Sequence, residues 1–241
     1  MSGHSHWASI KHKKGSEDEK RGKIFSKLTR QILIAAKQGG SDPETNPTLR
    51  MAIEKAKEFN MPKDNIERAI KKGSGELEGE KLEEVIFEAY GPGNIAIIIE
   101  GITDNRNRAL GEIKQILNQH SGKLVGEGAV RWMFQRQGCV TVNKDELKVS
   151  KDDLELTAIE AGAQDIYEHE NILDIYTKTE DLEKVKNALE GKGIKIDSSS
   201  LDWVAKEMVT LDEKQKGQAQ ALFEALDESD TVQEIYSNLK S

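Results

Sequence analysis

The sequence predicts an α+β protein of three domains: an N-terminal three-helix domain and two ferredoxin-like α/β domains, the third inserted in the second. Three observations carry this reading. Apolar residues recur at helical spacing through the first seventy or so positions. A stretch rich in Ser, Gly and Glu from Gly73 to Glu80 then separates this periodicity from short extended runs. From Cys139 onward the order of elements is βαββαβ, the ferredoxin-like order. The boundaries read 1–78 for the helical domain, 79–137 plus 203–241 for the second and 138–202 for the insert.

The first helix is expected from Ser16, where Ser16-Glu17-Asp18-Glu19 makes a capping box, to about Lys37 before Gly39-Gly40. At about 100° per residue, Phe25, Leu28, Ile32 and Ala35 share one face, and Lys20, Lys23, Lys27, Arg30 and Lys37 share the opposite, basic one. Asn46-Pro47 opens a second helix with Leu49, Ala52, Ile53 and Ala56 inward, and Met61-Pro62 opens a third that ends at Gly73. Lys63, Arg68, Lys71 and Lys72 extend the positive surface.

In the second domain, Val85 to Tyr90 and Ile95 to Ile99 flank Gly91-Pro92-Gly93-Asn94, a hairpin turn in which Gly supplies positive φ and Pro presets φ. A helix follows from Asn105 to Gln119, with Asp104 and Asn105 as caps and Ile113, Ile116 and Leu117 as its buried stripe. An extended stretch, Val130 to Gln135, leads into Gly138. The third domain reads as a strand at Cys139 to Val142, a helix at Lys151 to Ala161, strands at Asp165 to Tyr167 and Ile172 to Tyr176, a helix at Glu180 to Glu190 and a strand at Ile194 to Ile196. An extended run near Trp203 to Val209, a helix from Asp212 to Leu226 and a strand at Thr231 to Tyr236 supply what the second domain lacks, which is why the third is read as inserted.

Charge is segregated along the 241 residues. Met1 to Gly75 hold 16 Lys and Arg against 9 Asp and Glu, and the remainder holds 19 against 34, inside a chain whose formal net charge is −8. Such an arrangement turns a polyanion toward one end of a molecule and keeps it off the other. Cys139 is alone, so it closes no intramolecular disulfide, and a reducing, cytoplasmic location is expected. There is no secretory signal pattern and no apolar run near the roughly 20 residues of a membrane span, so no membrane partner is expected. Without a heptad seam, a monomer is expected.

Three motifs, GHSHWASIKHKKG…KRGKIFSKL, NMPKDNIERAIKKGSGE and YGPGNIAIIIEGITDNRNR, occur in this order. With them the chain resembles the YebC/PmpR family over essentially its full length. The resemblance implies an N-terminal helical domain and two α/β domains beside a cleft. It also implies a regulator of gene expression, since members are mostly described as transcriptional regulators that bind DNA. A mitochondrial relative is regarded as a translational activator, and bacterial members are linked to ribosomes and to relief of stalling at proline runs.

The residues themselves suggest contacts. Lys11, Lys13, Lys14, Lys20, Arg21, Lys23, Lys27 and Arg30 lie within twenty positions and would each release counterions on meeting phosphate. A solvated helix face is the alternative. Trp7 can stack on an unpaired base or pack against the helical domain. His4, His6 and His12 invite a metal, but no Cys or closely spaced carboxylate completes a site, so they read as hydrogen-bonding additions to a nucleic-acid contact. Asn105, Arg106 and Arg108 stand at a helix mouth, where amides and arginine forks hold phosphate, or where Asp104 simply caps the turn.

Gly91-Pro92-Gly93 matches no nucleotide-binding loop, so no cofactor and no small-molecule substrate are expected. A metal-dependent nuclease would need clustered acidic ligands, which the basic arm lacks. The residues therefore favour a non-enzymatic, nucleic-acid-binding regulator and suit structured RNA at least as well as DNA; it is the resemblance that puts a DNA-binding transcriptional regulator first. A ribosome-associated translation factor on ribosomal or transfer RNA is the alternative, and an adaptor binding proteins through the acidic domains is the third.

Overall fold

A computed structural model describes residues 17–78, 81–169 and 171–240. The described residues divide into two compact units, one formed by 17–130 together with 211–235, the other by 131–210 together with 236–240.

The first unit opens with α1 (Glu17–Gly39), α2 (Pro47–Glu58) and α3 (Lys63–Gly73). Their core joins Leu28, Ile32, Ala35 and Ala36 of α1 to Leu49, Ala52, Ile53 and Ala56 of α2 and Ile66 and Ala69 of α3. These are the inward faces that helical spacing predicts. Asn46 holds the corner between α1 and α2. Its side-chain oxygen caps α2 by accepting from the Leu49 N–H at 3.0 Å, while its Nδ2 donates to the carbonyls of Ala35 at 2.9 Å and Gly40 at 2.8 Å. One buried amide thus satisfies an orphan donor of one helix and carbonyls at the end of another.

The sheet of this unit runs β3-β1-β2-β8, from β1 (Glu83–Tyr90), β2 (Ala96–Thr103), β3 (Lys123–Val125) and β8 (Val232–Ser237). The β1–β2 hairpin is antiparallel and closes at Tyr90 opposite Ala96. Its turn uses Gly93 at φ 65° and Asn94 at φ 60°, as the Gly-Pro-Gly-Asn signature predicts. Two helices complete the unit, α4 (Arg106–Gln119) and α7 (Glu213–Asp227). Glu88 is buried in the middle of β1 and accepts from the N–H groups of Gly128 and Val130, both at 2.8 Å, so the loop leaving the unit is fixed by a carboxylate.

The second unit contains β4 (Phe134–Asn143), α5 (Lys151–Ala161), β5 (Ala163–His169), β6 (Ile172–Thr177), α6 (Leu182–Gly191) and β7 (Ser198–Ala205). Its sheet order, β5-β6-β4-β7, with every neighbouring pair antiparallel, is that of a ferredoxin-like unit.

Three elements differ from the sequence expectation. Val130 to Gln135 and Cys139 to Val142 are not two strands about a break at Gly138. Residues 131–133 make a 3₁₀ turn and β4 runs unbroken through Gly138. A side chain there would meet Thr177 Oγ1 at 2.5 Å and Leu182 Cβ at 2.8 Å, so glycine marks a close approach inside a strand. The last strand of the insert is Ser198–Ala205 and not Ile194 to Ile196, because Ser198 to Ala205 pair along β4 while Ile194 is a buried residue after α6. The short β3 has too few residues to leave a periodic signal.

On the second unit, Glu168 accepts from Lys144 and Lys151, and these bonds, Lys144 first, hold its carboxyl down at about 2. A depressed carboxyl favours the fold above its unfolded pKa of roughly 4.3 and loses that contribution as pH falls through about 2. Carbon-detected NMR titration should place the Glu168 midpoint near 2, rising toward the ordinary range in Lys144→Ala/Lys151→Ala. At the α1–α2 corner, Asn46→Ala should lower stability by about 2–4 kcal/mol in urea unfolding, since it removes a cap and strands two carbonyls. Asn46→Asp, which keeps the cap and loses the donor, should fall between it and wild type.

Candidate nucleic-acid interface

His4, His6, Trp7, Lys11, His12, Lys13 and Lys14, named from the sequence, lie outside the described residues, as does the side chain of Lys20. The remaining named residues fall at two places, α1 and the start of α4.

On α1 the basic face meets protein as well as water. Lys27 is 7% exposed and its Nζ donates to the Asp227 carbonyl at 2.7 Å and the Asp227 carboxylate at 2.9 Å. Lys23 pairs with Glu228, a hydrogen bond that raises its pKa. Arg30 donates to the carbonyls of Asp230 at 2.8 Å and Ile102 at 3.4 Å, and Lys37 to the carbonyl of Leu82 at 2.9 Å. For two of them the cause is a helix end: α7 stops at Asp227, whose carbonyl takes Lys27, and Glu228, just beyond it, takes Lys23 from one turn earlier on α1. Helical periodicity marks a cationic row but does not say whether water or a distant helix C-terminus lies in front of it. Arg21, in contrast, is exposed, with its guanidinium 5.6 Å from the Phe25 ring centroid.

The basic row with open access lies on α3. Arg68, Lys71 and Lys72 are exposed and stand at i, i+3 and i+4, so they share one side of the helix. Lys63 is exposed too and lies 3.4 Å from Glu67. Ile66 and Ala69 on the opposite side are buried in the three-helix core, which fixes the direction in which the cations project.

At the start of α4 the amides expected to hold phosphate already have a partner. The Asn105 side chain accepts from the N–H groups of Asn107 and Arg108, both at 3.1 Å, and the Thr103 hydroxyl accepts from the Asn105 N–H at 3.1 Å. Arg108 pairs with Asp104 one turn back. Arg106 is exposed and points the remaining charge of this turn outward. The capping reading therefore describes Asn105 and Arg108, and Arg106 is the group left to meet an anion.

Elsewhere the chemistry is quiet. Burial, with Asp202 and Asp174 adding to it, pushes the Cys139 thiol well up and keeps it protonated. Among the described residues no group of three His, Cys, Asp or Glu side chains is placed to hold a metal ion, and no helix is long and apolar enough to cross a membrane.

Comparison with known proteins covers almost the whole chain. Residues 5–76 match the family described as TACO1/YebC protein N-terminal domain, and residues 82–239 match TACO1/YebC second and third domain. A relative from Halothermothrix orenii named probable transcriptional regulatory protein is 50% identical, with 99% of this chain and 94% of that protein aligned. One of the same name from Desulfosudis oleivorans is 48% identical over 99% of this chain and 96% of its own length. The crystal structure of a conserved hypothetical protein from Aquifex aeolicus superposes with a TM-score of 0.88 at 46% identity, covering 98% of this chain and 96% of that one.

The two lysines of α1 should separate on mutation. Lys27→Ala, which leaves Asp227 and a helix end without their donor, should cost about 1.5–3 kcal/mol in urea unfolding followed by circular dichroism. Lys23→Ala, at an exposed pair, should cost less than about 1 kcal/mol.

Proposed function

Because this chain belongs to the TACO1/YebC family, we propose that it is a non-enzymatic, nucleic-acid-binding regulator of gene expression, a cytoplasmic monomer acting on DNA as a transcriptional regulator. The observation that carries the reading is the exposed Arg68, Lys71 and Lys72 row of α3. Arg21, Arg106 and the basic arm, His4, His6, Trp7, Lys11, His12, Lys13, Lys14 and Lys20, add to it. These cations grip phosphate, and the counterions they release supply the free energy of binding. Asn65, one turn before Arg68 and also exposed, is of the type that hydrogen-bonds an adenine edge in the major groove. The names of the relatives support transcription as the process regulated. The acidic remainder of the chain repels the same polyanion and orients it toward the basic end.

A second reading, a ribosome-associated translation factor on ribosomal or transfer RNA, is favoured by one feature. The exposed side of α3 offers several cations and a single base-reading amide, which suits recognition through backbone and shape, as in A-form RNA.

The test is the nucleic acid that co-purifies from gently lysed cells at low salt, sequenced and sorted by origin. Enrichment of discrete promoter fragments supports the transcriptional reading; ribosomal and transfer RNA support the second. Arg68→Glu/Lys71→Glu/Lys72→Glu should weaken binding and flatten its dependence on salt by roughly 0.9 in log–log slope for each duplex phosphate that is no longer neutralised. Reversal at Lys27 is unsuitable for this purpose, since it disrupts the seat of α1. Unchanged affinity and slope in the triple variant would remove α3 from the interface.

A further inference from the structure

Residues 131–210 hold 11 Lys and Arg against 17 Asp and Glu, yet two of those cations lie against the Trp203 ring and a third bonds the backbone of Trp132. Arg136 and Trp203 are register partners across β4 and β7, with the guanidinium carbon 5.2 Å from the ring centroid. Arg131 approaches the same ring at 6.0 Å. Lys206 follows directly on β7. Its Nζ donates to the Trp132 carbonyl at 2.7 Å and its backbone N–H to the Met133 carbonyl at 2.9 Å. The 3₁₀ turn of residues 131–133 is therefore fastened twice by one lysine.

The side chain that this fastened turn presents is Trp132, 65% exposed, more than Leu77, Leu110, Leu156 or Ile159. Burying a large apolar side chain is favourable, and most of this indole still faces water. An exposed indole on a turn pinned through its backbone, with Arg131 next to it in the chain and the Lys206 ammonium at its own carbonyl, has the two parts of a single-strand platform: a face on which any base can stack, and charge nearby to hold the phosphate. A purely apolar or acidic setting would suit a peptide instead; the cations favour a polyanion.

We propose that Trp132, with Arg131, Arg136 and Lys206, forms a second nucleic-acid contact, distinct from the α3 row, that stacks an unpaired base of a single strand. It rests on the nucleic-acid-binding reading above and adds what the α3 row lacks, a preference for unpaired over duplex nucleic acid.

The test uses the full chain with labelled oligouridylate, oligothymidylate and a blunt DNA duplex of equal length, followed by fluorescence anisotropy. Trp132→Ala should weaken binding of the single strands by about 5- to 150-fold and leave duplex affinity unchanged. Its melting temperature should stay that of wild type, because the side chain is exposed. Trp132→Tyr should keep most of the affinity while reducing the quenching of tryptophan fluorescence that the single strand causes in wild type by the share of Trp132. A preference for uridylate or for thymidylate would identify the strand as RNA or DNA, and either supports the contact. If Trp132→Ala binds every probe like wild type while the α3 triple variant is weakened, the second contact is wrong and the functional reading stands. If the wild type binds none of the probes, both fall. Dependence on Trp132 for a proline-rich peptide but not for the oligonucleotides would overturn the assignment to nucleic acid.

Discussion

A lysine ammonium buried at 7% exposure needs a full set of acceptors, and the seat that Asp227 provides for Lys27 constrains everything around it. Because α7 ends there, α1 must pass across that end at a fixed height, which brings Arg30 to the Asp230 carbonyl and Lys37 to the Leu82 carbonyl. Leu33 and Ile34 of α1 then pack with Leu82 and Ile102, while Leu28, Ile32 and Ala35 on another side receive α2 and α3. The helix is apolar on two sides, with cations reaching past the apolar surface to bind carbonyls. The direction in which Arg68, Lys71 and Lys72 project follows from this, since α3 is placed by its packing in that core. Cations that hold the molecule together and cations that face a ligand are thus different sets, although both look alike in the sequence.

What the sequence made legible was local. Helices α2 to α6 carry caps or breakers at their ends, such as Asn46-Pro47 and Ser150, whose side chain accepts from the Asp153 N–H. The β1–β2 turn carries glycine and asparagine where positive φ is needed. The βαββαβ order was visible because each of its helices is separated from its strands by such punctuation. Elements without it were misplaced. Ser198-Ser199-Ser200 shows no alternation, since β7 is held by its pairing with β4 and not by an apolar face. Gly138 looks like a break because glycine usually marks one, and only the neighbouring Thr177 and Leu182 explain it.

The candidate site was less legible, for a related reason. Exposure and ion pairing depend on residues far away in the chain: Lys23, Lys27 and Arg30 meet partners some two hundred positions later. At α4, sequence leaves phosphate binding and capping by Asp104 as alternatives, and in the structure it is the Asn105 side chain that caps its own helix amides. The α3 row did carry a signal, three cations at i, i+3 and i+4, but it was read as additional surface charge. Trp132 was hidden by its neighbours, because Val130 to Gln135 reads as a strand in which a tryptophan would alternate inward. The Glu88 carboxylate and the Lys206 ammonium, both distant in sequence, fix the loop and the turn on either side of position 131.

The insertion also sets an order of events during synthesis. Strands β1, β2 and β3 are made before residue 130, but their sheet is completed by β8, and the end of α7 that seats Lys27 does not exist until residue 227 has been made. All four strands of the second unit lie between these points, and its pairings are closer in sequence than that between β2 and β8. Non-local closure is slow, and units emerging from the ribosome fold as they become complete. The second unit can therefore finish first, while α1, made earlier, waits without the acceptors of residues 227–230. A nascent copy would carry more uncompensated positive charge on α1 than the finished protein does.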